Sequence, residues 1–137
     1  MDKTIILIDD DEDDIDLMVE AIAEFDPTIN CITFNDPRKA IHTLLGKGRA
    51  IPTYIFLDIN MPVLPGDICL RVIRSTPEFS DVPVAIISTF MSDEESKRLY
   101  TLGANFALQK PYSIQGYFEI LKCIFLTNLD NAVVSEL

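Results

Sequence analysis

Carboxylates follow two apolar runs of the sequence at the point where each run ends. The run Thr4–Ile8 is followed by a cluster of acids that includes Asp9 and Asp10, and Tyr54–Leu57 is followed directly by Asp58. If the two runs are neighbouring parallel strands, their carboxyl ends meet at one edge of a sheet, and the three carboxylates share a pocket. Carboxylates that lie so close together repel one another unless a cation lies between them. Carboxylate oxygens are the ligands that hard divalent cations prefer. The spacing therefore predicts a metal site.

A hydroxyl group and an amine follow two later apolar runs in the same way. Ser88 and Thr89 come directly after Val84–Ile87, and Lys110 comes shortly after Phe106–Leu108. In a parallel sheet these strand ends lie at the edge that carries the acids. We therefore expect carboxylates, a hydroxyl group and an ammonium group to converge on one site.

The elements that must position these groups are visible as short runs rich in β-branched residues, separated by longer segments with helical periodicity. Near-continuous apolar composition is typical of strands buried on both faces of a parallel sheet. The pattern predicts a doubly wound α/β fold in one domain over residues 1–127, followed by a C-terminal tail over residues 128–137. The five predicted strands are Ile5–Ile8, Ile29–Phe34, Tyr54–Leu57, Val84–Ile87 and Phe106–Leu108.

Helix starts carry their own signals. Asp36 followed by Pro37 is an N-cap with proline at the first helical position, Ser92 with Glu95 forms a capping box, and Ser113 is expected to begin the last helix. The remaining acids after the first strand are interpreted as a solvated helix start, where the helix dipole favours negative charge. These acids are Asp11, Glu12, Asp13, Asp14 and Asp16.

Composition excludes several classes of protein. The net charge of −11 makes nucleic acid and anionic lipid improbable partners. No apolar run approaches the roughly 20 residues that a membrane helix needs, and the N-terminus lacks the features of a signal peptide, so a cytoplasmic location is expected. Three widely spaced cysteines and a single histidine argue against a disulfide framework or a zinc site.

Five short motifs recur at the predicted strand ends and in the loops that follow them. They are Ile6-Leu7-Ile8-Asp9-Asp10, Leu57-Asp58-Ile59-Asn60-Met61-Pro62 with Gly66, Ile87-Ser88-Thr89, Gly103-Ala104 and Lys110-Pro111-Tyr112. With these motifs in this order and spacing, the chain resembles the receiver domain of response regulators, the phosphoacceptor module of two-component signalling, over about residues 3–127. The resemblance implies a flavodoxin-like sheet with strand order 2-1-3-4-5 and helices on both faces.

The resemblance also implies roles for single residues. Asp58 would be the nucleophile that accepts a phosphoryl group, a reaction that a magnesium ion would assist. Lys110 and the hydroxyl of Ser88 would contact the transferred group. The metal ligands implied are Asp9, Asp10 and Asp58, together with the backbone carbonyl of Asn60.

Partners and switching follow from the same resemblance. The phosphoryl donor would be a phosphohistidine on a sensor histidine kinase or a histidine phosphotransfer protein, and the output would pass through contact with a downstream protein or, alternatively, through a multi-step phosphorelay. The protein would catalyse its own phosphorylation and dephosphorylation. The face formed by helix four, strand five and helix five would change, and a homodimer could form through it. The switch positions are Ser88, Thr89 and Ala107.

Two positions bear on how this switch is built. Ala107 stands where the family usually has an aromatic residue, and Phe106 is expected to point to the other face of the strand. The resemblance further implies a cis peptide bond between Lys110 and Pro111.

Two other classes of function share part of this sequence pattern. Asp9, Asp11, Asp13 and Glu20 match positions of a calcium-binding EF-hand loop, but Asp14 occupies the position that needs glycine, and the preceding segment is predicted to be a strand.

A hydrolase that forms an aspartyl phosphate would also begin with a nucleophilic aspartate after a strand. It would need a second aspartate two residues after Asp58, where this chain has Asn60, which cannot act as a general acid. The chain also offers no second domain to close over a substrate.

Overall fold

The protein folds as an α/β sandwich in the computed structural model, which describes residues 3–46 and 51–127. The predicted tail, residues 128–137, lies outside the described residues. The strands are β1 Thr4–Ile8, β2 Asn30–Phe34, β3 Tyr54–Asp58, β4 Val84–Ser88 and β5 Phe106–Gln109. The helices are α1 Glu12–Phe25, α2 Pro37–Leu44, α3 Gly66–Ser75, α4 Asp93–Thr101 and α5 Ile114–Leu126, with a short 3-10 turn at Pro77–Phe79.

All neighbouring strands of the sheet pair in parallel, in the order β2-β1-β3-β4-β5. This confirms the predicted doubly wound topology. Because the chain starts at a central strand and winds outward in both directions, the winding reverses between β1 and β3. That reversal is where Asp9 and Asp58 lie, since Ile8 pairs with Leu57.

The two faces of the sheet carry separate apolar cores. Alternate residues of β1 point to opposite faces, so Ile6 packs in the core with Leu70 of α3, and Ile5 packs in the core with Leu121 of α5. The central strands are buried on both sides, which explains their near-continuous apolar sequence. Among the described residues, no helix is long and apolar enough to cross a membrane.

The three predicted caps, Asp36, Ser92 and Ser113, are in place, and Asp11 caps a fourth helix. The side chains of Asp11, Asp36, Ser92 and Ser113 each accept a hydrogen bond from a backbone amide in the first turn of the following helix. Pro65 precedes α3 without a side-chain cap hydrogen bond. The strands and helices therefore begin within one or two residues of their predicted positions.

A half-buried arginine ties together the amino-terminal ends of β4 and β5. Arg74 donates to the carbonyl oxygens of Gly103 (2.8 Å) and Phe79 (3.0 Å) and to Oδ1 of Asn105 (2.9 Å). The same Asn105 oxygen accepts the amide of Val84 at 2.9 Å. Gly103 has a φ of +110°, and a Cβ there would lie 2.9 Å from the Arg74 side chain, so glycine fits this position for two independent reasons.

Candidate functional site

The sheet brings the predicted acids together at the carboxyl ends of its two central strands. Asp9 follows β1 and Asp58 ends β3, and both are almost fully buried, whereas Asp10 is exposed. Carboxylate oxygens of the three residues all lie within 4.8 Å of one another. A narrow turn keeps Asp58 in place: a Cβ on Gly66 would lie 2.3 Å from the carbonyl oxygen of Asp58. Close passage of α3 over the end of β3 therefore requires glycine.

Burial and mutual repulsion act on the protonation of these carboxyl groups. Burial raises the pKa of Asp9 to about 7, and the charge of Asp58 adds to this effect, while the Asp11 amide and Lys110 oppose it. The pKa of Asp10 is also raised, first by burial and then by Asp58. A cation between the carboxylates would remove the repulsion, so oxygen donors, spacing and charge all fit a hard divalent metal ion.

Lys110 places its ammonium group directly against this cluster. Its backbone amide bonds to the carbonyl of Ser88 at 2.7 Å, which fixes the lysine at the end of β5. Its Nζ atom lies 3.0 Å from a carboxylate oxygen of Asp9 and 3.4 Å from one of Asp58. Although burial lowers the pKa of Lys110, its carboxylate partners outweigh that effect and raise the pKa above its usual value. The lysine is therefore a permanent positive charge in the site.

The Ser88 hydroxyl lies at the end of β4, held between two neighbours. It donates to the carbonyl oxygen of Phe90 at 2.9 Å and accepts a hydrogen bond from the Asn60 side-chain amide at 2.8 Å. The backbone amide of Asn60 in turn donates to Asp58 at 3.1 Å. The hydroxyl must therefore leave Phe90 before it can donate to a group on Asp58.

The remaining switch positions differ in their surroundings. Thr89 is exposed beside Ser88, and Ala107 is buried in the core that also contains Leu99 of α4. Phe106 packs in the opposite core, with Tyr117, which is the alternation predicted from the sequence. No aromatic ring at position 107 can therefore follow a movement of Ser88.

The interpretation of Asp14 as a solvated acid at a helix start was wrong. Its carboxylate lies 2.7 Å from Nζ of Lys110, closer than Asp9 or Asp58, although 96 positions separate the two residues in the chain. Helical spacing carries the signal that was missed, because Asp14 precedes the buried Met18 by four positions and therefore shares its inward face. Of the acids assigned to the helix start, Asp11 does cap α1.

The implied cis bond between Lys110 and Pro111 was also wrong. The described residues contain no cis peptide bond. Trans is the lower-energy isomer even before proline, and the Lys110 backbone reaches its partner on Ser88 with the bond trans.

The comparisons with known proteins agree with this geometry. A family model described as the response regulator receiver domain matches residues 5–122. The chain belongs to this family. Response regulator receiver domains are phosphorylated on an aspartate in two-component signalling, and they interact with phosphodonor kinases and downstream targets.

Several relatives resemble this receiver domain along most of its length. The probable methanogenesis regulatory protein FilR2 of Methanothrix harundinacea is 27% identical over 81% of this chain and 74% of its own. Response regulator Rcp1 of Synechocystis sp. is 25% identical over 89% of this chain and 86% of its own.

Two solved structures share this fold over most of their length. The phosphorylated cyanobacterial phytochrome response regulator RcpA is 29% identical, with a TM-score of 0.78 over 90% of this chain and 91% of that one. The Mn²⁺-bound form of Rcp1 is 24% identical in its structural alignment, with a TM-score of 0.78 over 97% of this chain and 99% of that one.

Proposed function

We propose that Asp58 is the phosphoacceptor of this receiver domain. The observation that carries the proposal is its central position: β3 lies between β1, which delivers Asp9, and β4, which delivers Ser88. A phosphoryl group on Asp58 is therefore within reach of the acids on one side and of Ser88 and Lys110 on the other. None of the other carboxylates in the cluster is flanked in this way.

The reaction transfers one phosphoryl group between two side chains. A carboxylate oxygen of Asp58 attacks the phosphorus of a phosphohistidine; the P–O bond forms as the P–N bond breaks, and the leaving imidazole nitrogen keeps the electron pair. Lys110 offsets negative charge on the transferred group, and Ser88 donates a hydrogen bond to one of its oxygens once it releases Phe90. Both side chains thus contact the phosphoryl group during its transfer and stay in contact with it once it is on Asp58.

The proposed metal is Mg²⁺, held by the carboxylates of Asp9, Asp10 and Asp58 and by the backbone carbonyl of Asn60. When bound, the ion offsets repulsion between the anionic nucleophile and the anionic phosphoryl group. The oxygen-only donor set supports a hard cation, and the Mn²⁺-bound form of Rcp1 shows that a similar protein takes a divalent metal.

The partners proposed are a sensor histidine kinase or a histidine phosphotransfer protein as donor and a protein target as receiver of the signal, in the cytoplasm. Residues 1–127 form the receiver domain in this proposal. Movement of Ser88 and Lys110 towards the phosphoryl group would be transmitted to the face formed by α4, β5 and α5, because both residues lie at the ends of strands that adjoin it. That face would contact the target or a second copy of the chain.

Intact-mass measurement tests the proposal directly. The protein is incubated with acetyl phosphate and Mg²⁺, and one added phosphoryl group is expected on the wild type and on Asp16→Ala, whose side chain is exposed on α1. No adduct is expected on Asp58→Ala or in the presence of EDTA. Absence of the adduct on the wild type, or its persistence on Asp58→Ala, would refute the assignment.

A further inference from the structure

The shortest ion pair of Lys110 is with a residue outside the proposed machinery. Its Nζ atom lies 2.7 Å from Asp14 on α1, and 3.4 Å from Asp58. The Asp14 side chain is only 23% exposed, so water screens this ion pair less than a surface pair. Before phosphorylation the ammonium group is thus held more closely by α1 than by the phosphoacceptor.

A second unusual group lies on α5, which packs against α1, the helix that carries Asp14. The side chain of Tyr117 on α5 is fully buried, and its hydroxyl has no hydrogen-bond partner among the described residues. Burial raises the pKa of Tyr117 above its usual value, and the charge of Asp14 is the next largest influence. An unpaired buried hydroxyl is destabilising, because it has lost its hydrogen bond to water. Such a cost suggests that the donor has a partner in another state of the protein.

We propose that Asp14 and Tyr117 are positioning residues that set the balance between the resting and phosphorylated states. In the resting state Asp14 holds Lys110 back. When Lys110 moves towards the phosphoryl group, the Tyr117 hydroxyl donates to the Asp14 carboxylate that the lysine has left. The inference rests on the proposed function, because it assumes that Asp58 carries the phosphoryl group.

The exchange gives the Asp14 carboxylate a partner in both states. In the resting state Lys110 neutralises Asp14, while the Tyr117 hydroxyl is unpaired. In the phosphorylated state Lys110 neutralises the phosphoryl group, and Asp14 would otherwise be a partly buried carboxylate without a donor. A hydrogen bond from Tyr117 reduces that penalty, since donors to ionised acceptors form the stronger class of hydrogen bond. The two residues therefore act on opposite sides of one equilibrium.

Beryllofluoride, which mimics an aspartyl phosphate, allows this balance to be measured without turnover. Its affinity for the wild type with Mg²⁺ is determined by titration followed by fluorine NMR. Asp14→Asn removes the charge that holds Lys110 in the resting state, so we expect roughly five- to tenfold tighter binding. Asp13→Asn is the matched control: it removes a neighbouring charge from an exposed side chain that has no contact with Lys110, and less than a twofold change is expected.

Tyr117→Phe shifts the equilibrium the other way. It removes the donor that serves Asp14 after phosphorylation, so beryllofluoride is expected to bind roughly three- to fivefold more weakly. The resting protein loses only an unpaired hydroxyl, and its resistance to urea should equal or exceed that of the wild type. In the Asp14→Asn background, Tyr117→Phe should have less than a twofold effect, because its partner charge is gone.

The outcomes separate this inference from the proposed function. If Asp58→Ala still binds beryllofluoride at this site, or the wild type does not bind it, the proposed function fails. If the wild type binds it at Asp58 but Asp14→Asn equals Asp13→Asn, or Tyr117→Phe does not weaken binding, the inference fails alone. Opposite shifts in the two single variants, with loss of the Tyr117 effect in the double variant, support it; a purely structural role would weaken binding in both.

Discussion

Arg74 and Lys110 lie at opposite ends of the same sheet, and the surroundings of these two cations differ in kind. Arg74, at the amino-terminal end of β4 and β5, donates to carbonyl oxygens and to one amide oxygen, all of them neutral acceptors. Lys110, at the carboxyl-terminal end of β5, faces the carboxylates of Asp9, Asp14 and Asp58. The acceptors of Arg74 carry no net charge, whereas the single positive charge of Lys110 neutralises only one of three carboxylates.

The difference separates a site whose polar groups are paired within the fold from a site that still carries unbalanced charge. The network around Arg74 satisfies donors and acceptors together, so no second arrangement improves it, and we expect it to serve stability alone. The carboxylates around Lys110 retain excess negative charge, which favours the arrival of a metal ion and permits the lysine to change partners. Sites that depart from local balance in this way are the usual locations of function.

The largest expected effect comes from breaking the balanced end. Arg74→Met removes the donor to the carbonyl oxygen of Gly103 and one of the two donors to each of the Phe79 carbonyl and the Asn105 amide oxygen. It should lower the free energy of unfolding by roughly 3 kcal/mol. Urea denaturation measures the loss, with Arg71→Met, exposed on the same helix, as the control. The folded fraction should still accept a phosphoryl group from acetyl phosphate. A change of less than about 0.5 kcal/mol would show that the arginine is not a structural element.

The second prediction uses pH to distinguish the two ends. The pKa of Asp9 is about 7 in the folded protein, against 3.8 as its ordinary value. Between those values the folded state binds a proton that the unfolded state lacks, so this stabilisation is full below about pH 4 and is lost as the pH rises through about 7. In EDTA, the free energy of unfolding should fall as the pH rises across that window.

The Asp9→Asn variant should flatten this dependence, because the titrating group is removed. Arg74→Met should keep the slope of the wild type while lying below it at every pH, since Arg74 lies at the opposite end of the sheet from Asp9. A wild-type stability that rises with pH between about 4 and 7 in EDTA would contradict the raised pKa of Asp9.

These two ends were not equally visible in the sequence. Asp58 and Lys110 could be placed because each ends an apolar run, and parallel strands bring such ends to one edge. Arg74 gave no signal, because its acceptors are largely backbone carbonyls that belong to no sequence pattern. Asp14 was missed because its position in the first turn of α1 already had a sufficient explanation. Its contact with Lys110 depends on how α1 packs beside the sheet, which helical periodicity indicates but does not determine.

The smallest expected effect concerns competition between the lysine and the metal. Lys110→Met removes a positive charge that lies against the carboxylates of Asp9 and Asp58, so the negative potential at the metal site increases. We expect Mg²⁺ to bind about fivefold more tightly, a gain of roughly 1 kcal/mol, in isothermal titrations above the pKa of Asp9. Below that pKa the gain should shrink, because without Lys110 the Asp9 carboxyl holds its proton more firmly and the metal must displace it.

Lys122→Met is the matched control, because Lys122 is exposed on α5 and its loss changes the net charge equally. Equal Mg²⁺ affinities in the two lysine variants would mean that Lys110 does not compete with the metal. Tighter binding in Lys110→Met alone would show that Lys110 and the metal ion compete for the same carboxylates. Because the arginine at the opposite end has neutral acceptors, Arg74→Met should leave the Mg²⁺ affinity of the folded protein unchanged.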